Sequence, residues 1–255
     1  LLMLAYNWKA SGKIKDIRIS TRPDYIDVQI MDFLQEYGVS IVELGVQSMD
    51  NGVLKASGRG HTPLDVVKAV QIINGYDIKI GLQLMIGLPE DNLSKAINSA
   101  DACINLNPDF MRIYPTLVIK DTYLESMFIS KQYTPLSLEE AVTISKDILL
   151  RCIKGDVPVI RVGLQPTENI LEGKDLIAGP FHPAFRQIVE SRIYRDILEY
   201  NFDKYKIYNK KQIILEINDR YLSSLVGIKR SNIKYLSNKY CISKFSIIRN
   251  NNLQG

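Results

Sequence analysis

Val42-Glu43-Leu44-Gly45-Val46-Gln47-Ser48, followed by Met49-Asp50 and then Gly58-Arg59-Gly60-His61-Thr62, is the stretch on which the fold turns. It reads as a buried strand that ends in polar residues and enters a helix. Parallel α/β proteins use this arrangement to place ligand-contacting groups at the carboxyl ends of their strands. One helix later the pattern returns, as Ile80-Gly81-Leu82-Gln83-Leu84-Met85-Ile86 runs into Gly87-Leu88-Pro89-Glu90.

Outward from these two strands, short apolar segments at 17–21, 41–46, 78–86, 110–114 and 157–164 alternate with amphipathic segments at 28–37, 63–73, 93–106 and 136–151. Such alternation predicts a parallel sheet with right-handed helical crossovers, contained within residues 1–165. The character changes beyond it. Pro180-Phe181-His182-Pro183 punctuates a loop, 184–200 reads as a helix, and strands at 213–217 and 245–248 flank short helices at 219–226 and 232–240. Residues 166–255 are therefore expected to form a small α+β extension.

Strands covered on both faces should be almost continuously aliphatic. Here one parity is polar or small: Arg18, Ser20 and Arg22; Glu43, Gly45 and Gln47; Gly81, Gln83 and Met85; Arg112 and Tyr114; Arg161, Gly163 and Gln165. The other holds Ile17, Ile19, Val42, Leu44, Val46, Leu82, Leu84, Ile86, Met111, Ile113, Ile160, Val162 and Leu164. Successive strand side chains point to opposite faces, so the apolar set should meet helices and the polar set should share one concave interior. An arginine buried there needs a partner, and Glu43 is expected to pair with Arg18, Arg112 or Arg161. Such a network can simply hold the barrel together, whereas residues near the carboxyl ends have the stronger claim to ligand contact.

A 255-residue chain with 46% apolar and 24% charged residues can bury a full core, so a folded rather than a disordered polypeptide is the default expectation. No apolar run approaches the roughly 18 residues that cross a bilayer, and residues 1–8 lack the basic flank of a signal peptide, so a cytoplasmic location without membrane association is expected. Cys103, Cys152 and Cys241 are odd in number and widely separated, indicating neither a disulfide framework nor a metal knuckle; no metal ligands are assigned. The chain opens on Leu rather than Met, which reads as part of a longer polypeptide. Residues 199–255 carry 11 Lys and Arg against 4 Asp and Glu, a surplus of seven in a chain of net charge +4. That asymmetry suits a polyanionic partner, nucleic acid first, and equally a solvated basic face.

Residues 41–62 resemble the fourth strand and following helix of the radical S-adenosylmethionine (radical SAM) barrel. The similarity is to two branches, the catalytic subunit of Elongator and oxygen-independent coproporphyrinogen III oxidase. Ser20-Thr21-Arg22-Pro23-Asp24-Tyr25 resembles the end of the third strand in the Elongator branch, residues 81–89 the fifth strand, and Arg112-Ile113-Tyr114-Pro115-Thr116-Leu117-Val118 the sixth. Segments 161–168 and 179–192 are similar to bacterial Elongator-like proteins. The resemblance implies an incomplete (β/α) barrel comprising strands three to six of six. In the intact parent, SAM and a 4Fe-4S cluster would generate a 5′-deoxyadenosyl radical, with RNA or tRNA as substrate and an electron donor as partner.

The resemblance also implies roles for individual residues. Gln47 would lie beside the ribose or methionine part of SAM, and Arg59 would hold its carboxylate, a task suited to a guanidinium fork. Gln83 stands where the coproporphyrinogen branch has a ribose-contacting acid, and Ser20 where it has a glutamate. Without the resemblance, Gln47 reads as a capping amide and Arg59 as a surface helix charge. Tyr114, Lys120, Tyr123 and His182 are candidates for substrate contact; His61 reads better as bracing a turn. Lys229 and Arg230, in Leu225-Val226-Gly227-Ile228-Lys229-Arg230-Ser231-Asn232, could face phosphate or form an exposed interhelical turn. The cluster-binding Cys-x3-Cys-x2-Cys run does not occur in this sequence. A non-enzymatic nucleic-acid-binding or scaffold protein on a degenerate barrel is the rival expectation. The sequence leaves the oligomeric state open.

Overall fold

The computed structural model describes residues 1–166 and 174–253, so Thr167 and Glu168, the end of one segment of resemblance, lie outside the described residues. The chain divides into two units, Leu1–Pro183 and Ala184–Gly255.

In the first unit the order is α1 (Leu2–Ala10), β1 (Arg18–Thr21), α2 (Val28–Glu36), β2 (Ile41–Gln47), α3 (Asn51–Ala56), α4 (Pro63–Ile73), β3 (Lys79–Ile86) and α5 (Leu93–Ile104). It continues with β4 (Phe110–Pro115), β5 (Val118–Ile119), α6 (Tyr123–Ile129), α7 (Leu138–Lys154), β6 (Val159–Val162) and β7 (Leu176–Ala178). The main sheet is wholly parallel with strand order β1-β2-β3-β4-β6. It does not close on itself: β1 and β6 are its edges, giving the incomplete barrel expected.

The helices start where the sequence supplies acceptors for their first free amides. Asp27 accepts from Ile30 N at 2.7 Å, Asp50 from Val53 N at 2.9 Å and Asn92 from Lys95 N at 3.0 Å. Reciprocal capping boxes, Thr62 with Asp65 and Ser137 with Glu140, open α4 and α7. Val42, Leu44, Val46, Leu82, Leu84, Ile86, Met111 and Ile113 are all buried, with α4 packed on β2 and both α5 and α7 on β3. Each such side chain contributes about 1.5–3 kcal/mol on leaving water.

Three features depart from the sequence reading or were absent from it. Ile160, expected to meet a helix, is 43% exposed, β6 being an edge strand of the main sheet among the described residues. β5 and β7 form an antiparallel pair that no periodicity announced, since two- and three-residue strands carry too few positions to show a period. The 165/166 boundary expected from sequence lies inside the first unit.

The second unit contains α8 (Phe185–Lys204), β8 (Ile213–Ile217), α9 (Leu222–Val226), α10 (Ser231–Tyr240) and β9 (Phe245–Arg249). β8 and β9 pair in parallel, which the intervening helices permit. Phe202, Ile233, Leu236, Tyr240, Ile242 and Phe245 form its core. Buried Asn232 ties α10 to α8 and α9, donating to the carbonyls of Ser191 at 2.8 Å and Leu225 at 3.1 Å.

Candidate functional site

The strand register decides which polar side chains meet. Ser20 lies beside Glu43, Glu43 beside Gly81, and Gln83 beside Arg112. Glu43, 1% exposed, forms ion pairs with Arg18 Nη1 at 3.0 Å and Arg112 Nη2 at 2.8 Å. Gln83 Nε2 donates to its second oxygen at 2.7 Å. Glu43, expected to pair with at least one of Arg18, Arg112 and Arg161, thus pairs with the first two. Gly81 makes room for this cluster, because a Cβ there would stand 2.3 Å from Phe110 Cε2 and 3.0 Å from Glu43 Cγ.

Above this layer β2 ends in a backbone conformation that few side chains adopt. Gln47 has φ +65°, and Ser48 N donates to Val46 O across it at 2.8 Å, making a γ-turn. The pairing of β2 with β3 shifts register between Leu44 and Gln47. The same Val46 carbonyl lies 3.0 Å from His61 Nε2, so the ring of His61, 4% exposed, braces the turn as the sequence suggested. The turn folds the Gln47 carboxamide back over Gly45, where a Cβ would come within 2.8 Å of Nε2. Gln47 Oε1 is left buried with no hydrogen-bond partner among the described residues.

Arg59 reaches the same place from the loop between α3 and α4. Its Nη2 makes only a 3.4 Å contact with Met85 Sδ, and its Nε is buried without a partner. Burial first, and the neighbouring charge of Arg22 second, hold its guanidinium below the usual arginine range. A buried guanidinium Nε and a buried amide oxygen, each lacking a partner, cost about 1–3 kcal/mol apiece unless a ligand satisfies them.

Ser20, Thr21, Arg22, Gly45, Gln47, Gly58, Arg59, Gly60, His61 and Gln83 line one cleft of about 380 Å³ at the carboxyl ends of β1–β3. All four residues that the resemblance assigned to the cofactor, Ser20, Gln47, Arg59 and Gln83, are among them. Arg59 also borders a second, more apolar cleft of about 330 Å³ lined by Met85, Leu88, Leu117, Tyr123 and Met127. Of the substrate candidates, Tyr114 lies on β4 with its hydroxyl accepting from Arg112 Nη1 at 3.0 Å, and half-buried His182 precedes α8; neither lines these clefts. Lys229 and Arg230 are exposed in the second unit, both left-handed at φ +50° and +63°. The sequence places Arg22 in the polar interior set without a ligand role, and Gly60 escapes the sequence reading as a pocket residue; its only signal is its presence inside a motif already singled out. Among the described residues no group of three or more His, Cys, Asp or Glu could hold a metal ion, and no helix is long and apolar enough to cross a membrane.

Comparison with known proteins matches residues 2–103 to the model of the radical SAM superfamily and residues 108–195 to that of the Radical_SAM C-terminal domain. The chain belongs to the radical SAM superfamily. It is 36% identical over 141 residues to a tRNA uridine(34) acetyltransferase of Methanocaldococcus jannaschii, covering 54% of this chain and 26% of that protein. To human Elongator complex protein 3 it is 32% identical over 143 residues, again 54% of this chain and 26% of the relative. The chain thus spans about a quarter of the length of these relatives. The structure of Methanocaldococcus infernus Elp3 with its N-terminal residues 1–46 deleted superposes with a TM-score of 0.63 at 27% identity, covering 72% of this chain and 42% of that one. Radical SAM proteins use SAM and a 4Fe-4S cluster. The cleft fits the first of these groups: it offers a guanidinium with no ion-pair partner among the described residues and a buried amide oxygen lacking a donor.

Proposed function

We propose that this chain supplies the SAM-binding side of a radical SAM enzyme that modifies RNA, with tRNA as the substrate class. The reading is carried by the convergence of Gln47, Arg59 and Gln83 on one cleft, two of them with buried polar atoms that lack partners. Arg59 holds the SAM carboxylate, Gln47 Oε1 accepts from its ammonium or a ribose hydroxyl, and Ser20 lies at the rim. Gln83 gives its amide nitrogen to Glu43, so its oxygen is the group left for a ribose hydroxyl. Bound beside a reduced 4Fe-4S cluster, SAM supplies one-electron chemistry that abstracts hydrogen from an unactivated carbon. The chain's own residues bind and orient it, and the buried surround raises the strength of each contact.

The RNA assignment draws on the tRNA-modifying activity that the relatives' names describe and on the cationic surplus of residues 199–255. Tyr114 and His182 are retained as substrate contacts, and Lys229 and Arg230 as phosphate contacts. Calorimetric titration of SAM into the complete encoded protein, held anaerobic, tests the first part. Arg59→Ala should weaken binding by roughly tenfold or more, since a charge-assisted pair is lost. An unchanged dissociation constant would remove Arg59 from the site. Filter binding of tRNA across a salt series tests the second: Lys229→Glu with Arg230→Glu should lower both affinity and its salt slope.

A further inference from the structure

Arg22 is a pocket residue that the family resemblance did not assign. It leaves the end of β1 and lies across the Gly58-Arg59-Gly60 loop, lining the same cleft as Arg59. Its guanidinium is held in place from three sides. Nε and Nη2 donate to the two carboxylate oxygens of Asp24 at 3.0 and 2.7 Å, and its Cζ lies 4.9 Å from the centroid of the Tyr25 ring. The third side is the bare Cα of Gly60, where a Cβ would stand 2.4 Å from Nη2, 3.2 Å from Cζ and 3.3 Å from Nη1. Pro23, buried immediately after it, starts a one-turn 3₁₀ helix, Pro23–Tyr25, that delivers both Asp24 and Tyr25. These contacts set the guanidinium over Gly60 and beside Arg59 in the cleft.

What remains open is Nη1, which has no hydrogen-bond or ion-pair partner among the described residues. Charge decides what it can take. Arg22 and Arg59 feel each other's field, and Asp24 offsets one of the two positive charges, so this end of the cleft carries a single uncompensated cation. One carboxylate balances it; a phosphate dianion would leave the site overcharged. We propose that Arg22 Nη1 and Arg59 together clamp the aminoacyl carboxylate of SAM, and that Gly60 is glycine because any side chain there would push Arg22 off its shelf.

The inference rests on the SAM reading above and adds to it a second arm of the clamp and a reason for Gly60. The test uses two ligands, SAM and 5′-methylthioadenosine, which keeps the nucleoside and lacks the aminoacyl group. Titrated into the complete encoded protein, Arg22→Gln and Gly60→Ala should each weaken SAM binding roughly tenfold and leave methylthioadenosine affinity within twofold. In the Arg22→Gln background, Gly60→Ala should cost nothing further, because both changes remove the same contact. Equal losses for both ligands would make Arg22 a structural residue and overturn the clamp. So would SAM affinity unaffected by Arg22→Gln in a protein that binds SAM and loses it with Arg59→Ala. A wild-type protein that fails to bind SAM would instead overturn the reading on which the clamp rests. Circular dichroism melts of each variant exclude unfolding as the cause, since Arg22 and Asp24 are surface groups whose pairing contributes little to stability.

Discussion

Gln83 Nε2 donates to Glu43 Oε2 at 2.7 Å, across the β2–β3 pairing. The bond settles which end of the Gln83 amide is free, because a carboxylate flanked by Arg18 and Arg112 can only accept. The floor of the cleft and its ligand contacts are thus one connected piece.

Removing the carboxylate should cost more than removing the amide. Glu43→Gln leaves Arg112 partly buried against a neutral group and is expected to lower stability by about 3–5 kcal/mol, against about 1 kcal/mol for Gln83→Ala. Urea denaturation midpoints measure both. Equal midpoints for the two variants would mean that the arginines find other partners.

Gln47 should show stability and binding moving in opposite directions. Its left-handed backbone costs about 1 kcal/mol in any residue but glycine, so Gln47→Gly should gain stability of that order. The same variant should bind SAM at least tenfold more weakly, since the amide oxygen is gone. A variant that both melts lower and binds normally contradicts the account of this turn.

Gly81→Ala should destabilise by about 1–3 kcal/mol through overpacking, since the new Cβ meets the Phe110 ring. Phe110→Leu in the same chain should restore part of the loss. If the double variant is no more stable than Gly81→Ala alone, the clash is not the cause.

Thiol chemistry should separate the cysteines. Burial pushes the Cys152 thiol up to about 11 and the Cys103 thiol higher still, while Cys241 is exposed. Iodoacetamide at pH 8 should label one cysteine in the native protein and three in urea, counted by mass spectrometry.

Acid should weaken the starts of α4 and α7. Hydrogen bonds from Thr62 and Ser137 hold the carboxyls of Asp65 and Glu140 below their usual values. A lowered folded-state pKa contributes stability above the unfolded value, about pH 4, and loses it as pH falls through the folded one. Ser137→Ala should cost about 1 kcal/mol at pH 7 and less at pH 3. A cost that does not shrink in acid would assign the loss to the hydroxyl alone.

The parallel sheet was legible because its cause is local. Strands show a period of two and helices one of 3.6, so the apolar sets of 42–46 and 82–86 and the caps at Asp27, Asp50, Thr62, Asn92 and Ser137 are written in neighbouring residues. The likeness of residues 41–62 to one family singles out Gln47 and Arg59 from sequence alone. Partners were another matter. That Glu43 takes Arg18 and Arg112 but not Arg161 follows from register, and register depends on how whole strands slide against one another. The γ-turn at Gln47 needs His61 from a loop 14 residues on, and the shelf under Arg22 needs Gly60 from 38 residues on. Local pattern thus determined the elements and the face that is polar. Only tertiary structure decided which polar groups were left without partners, because satisfaction is a property of pairs brought together by folding.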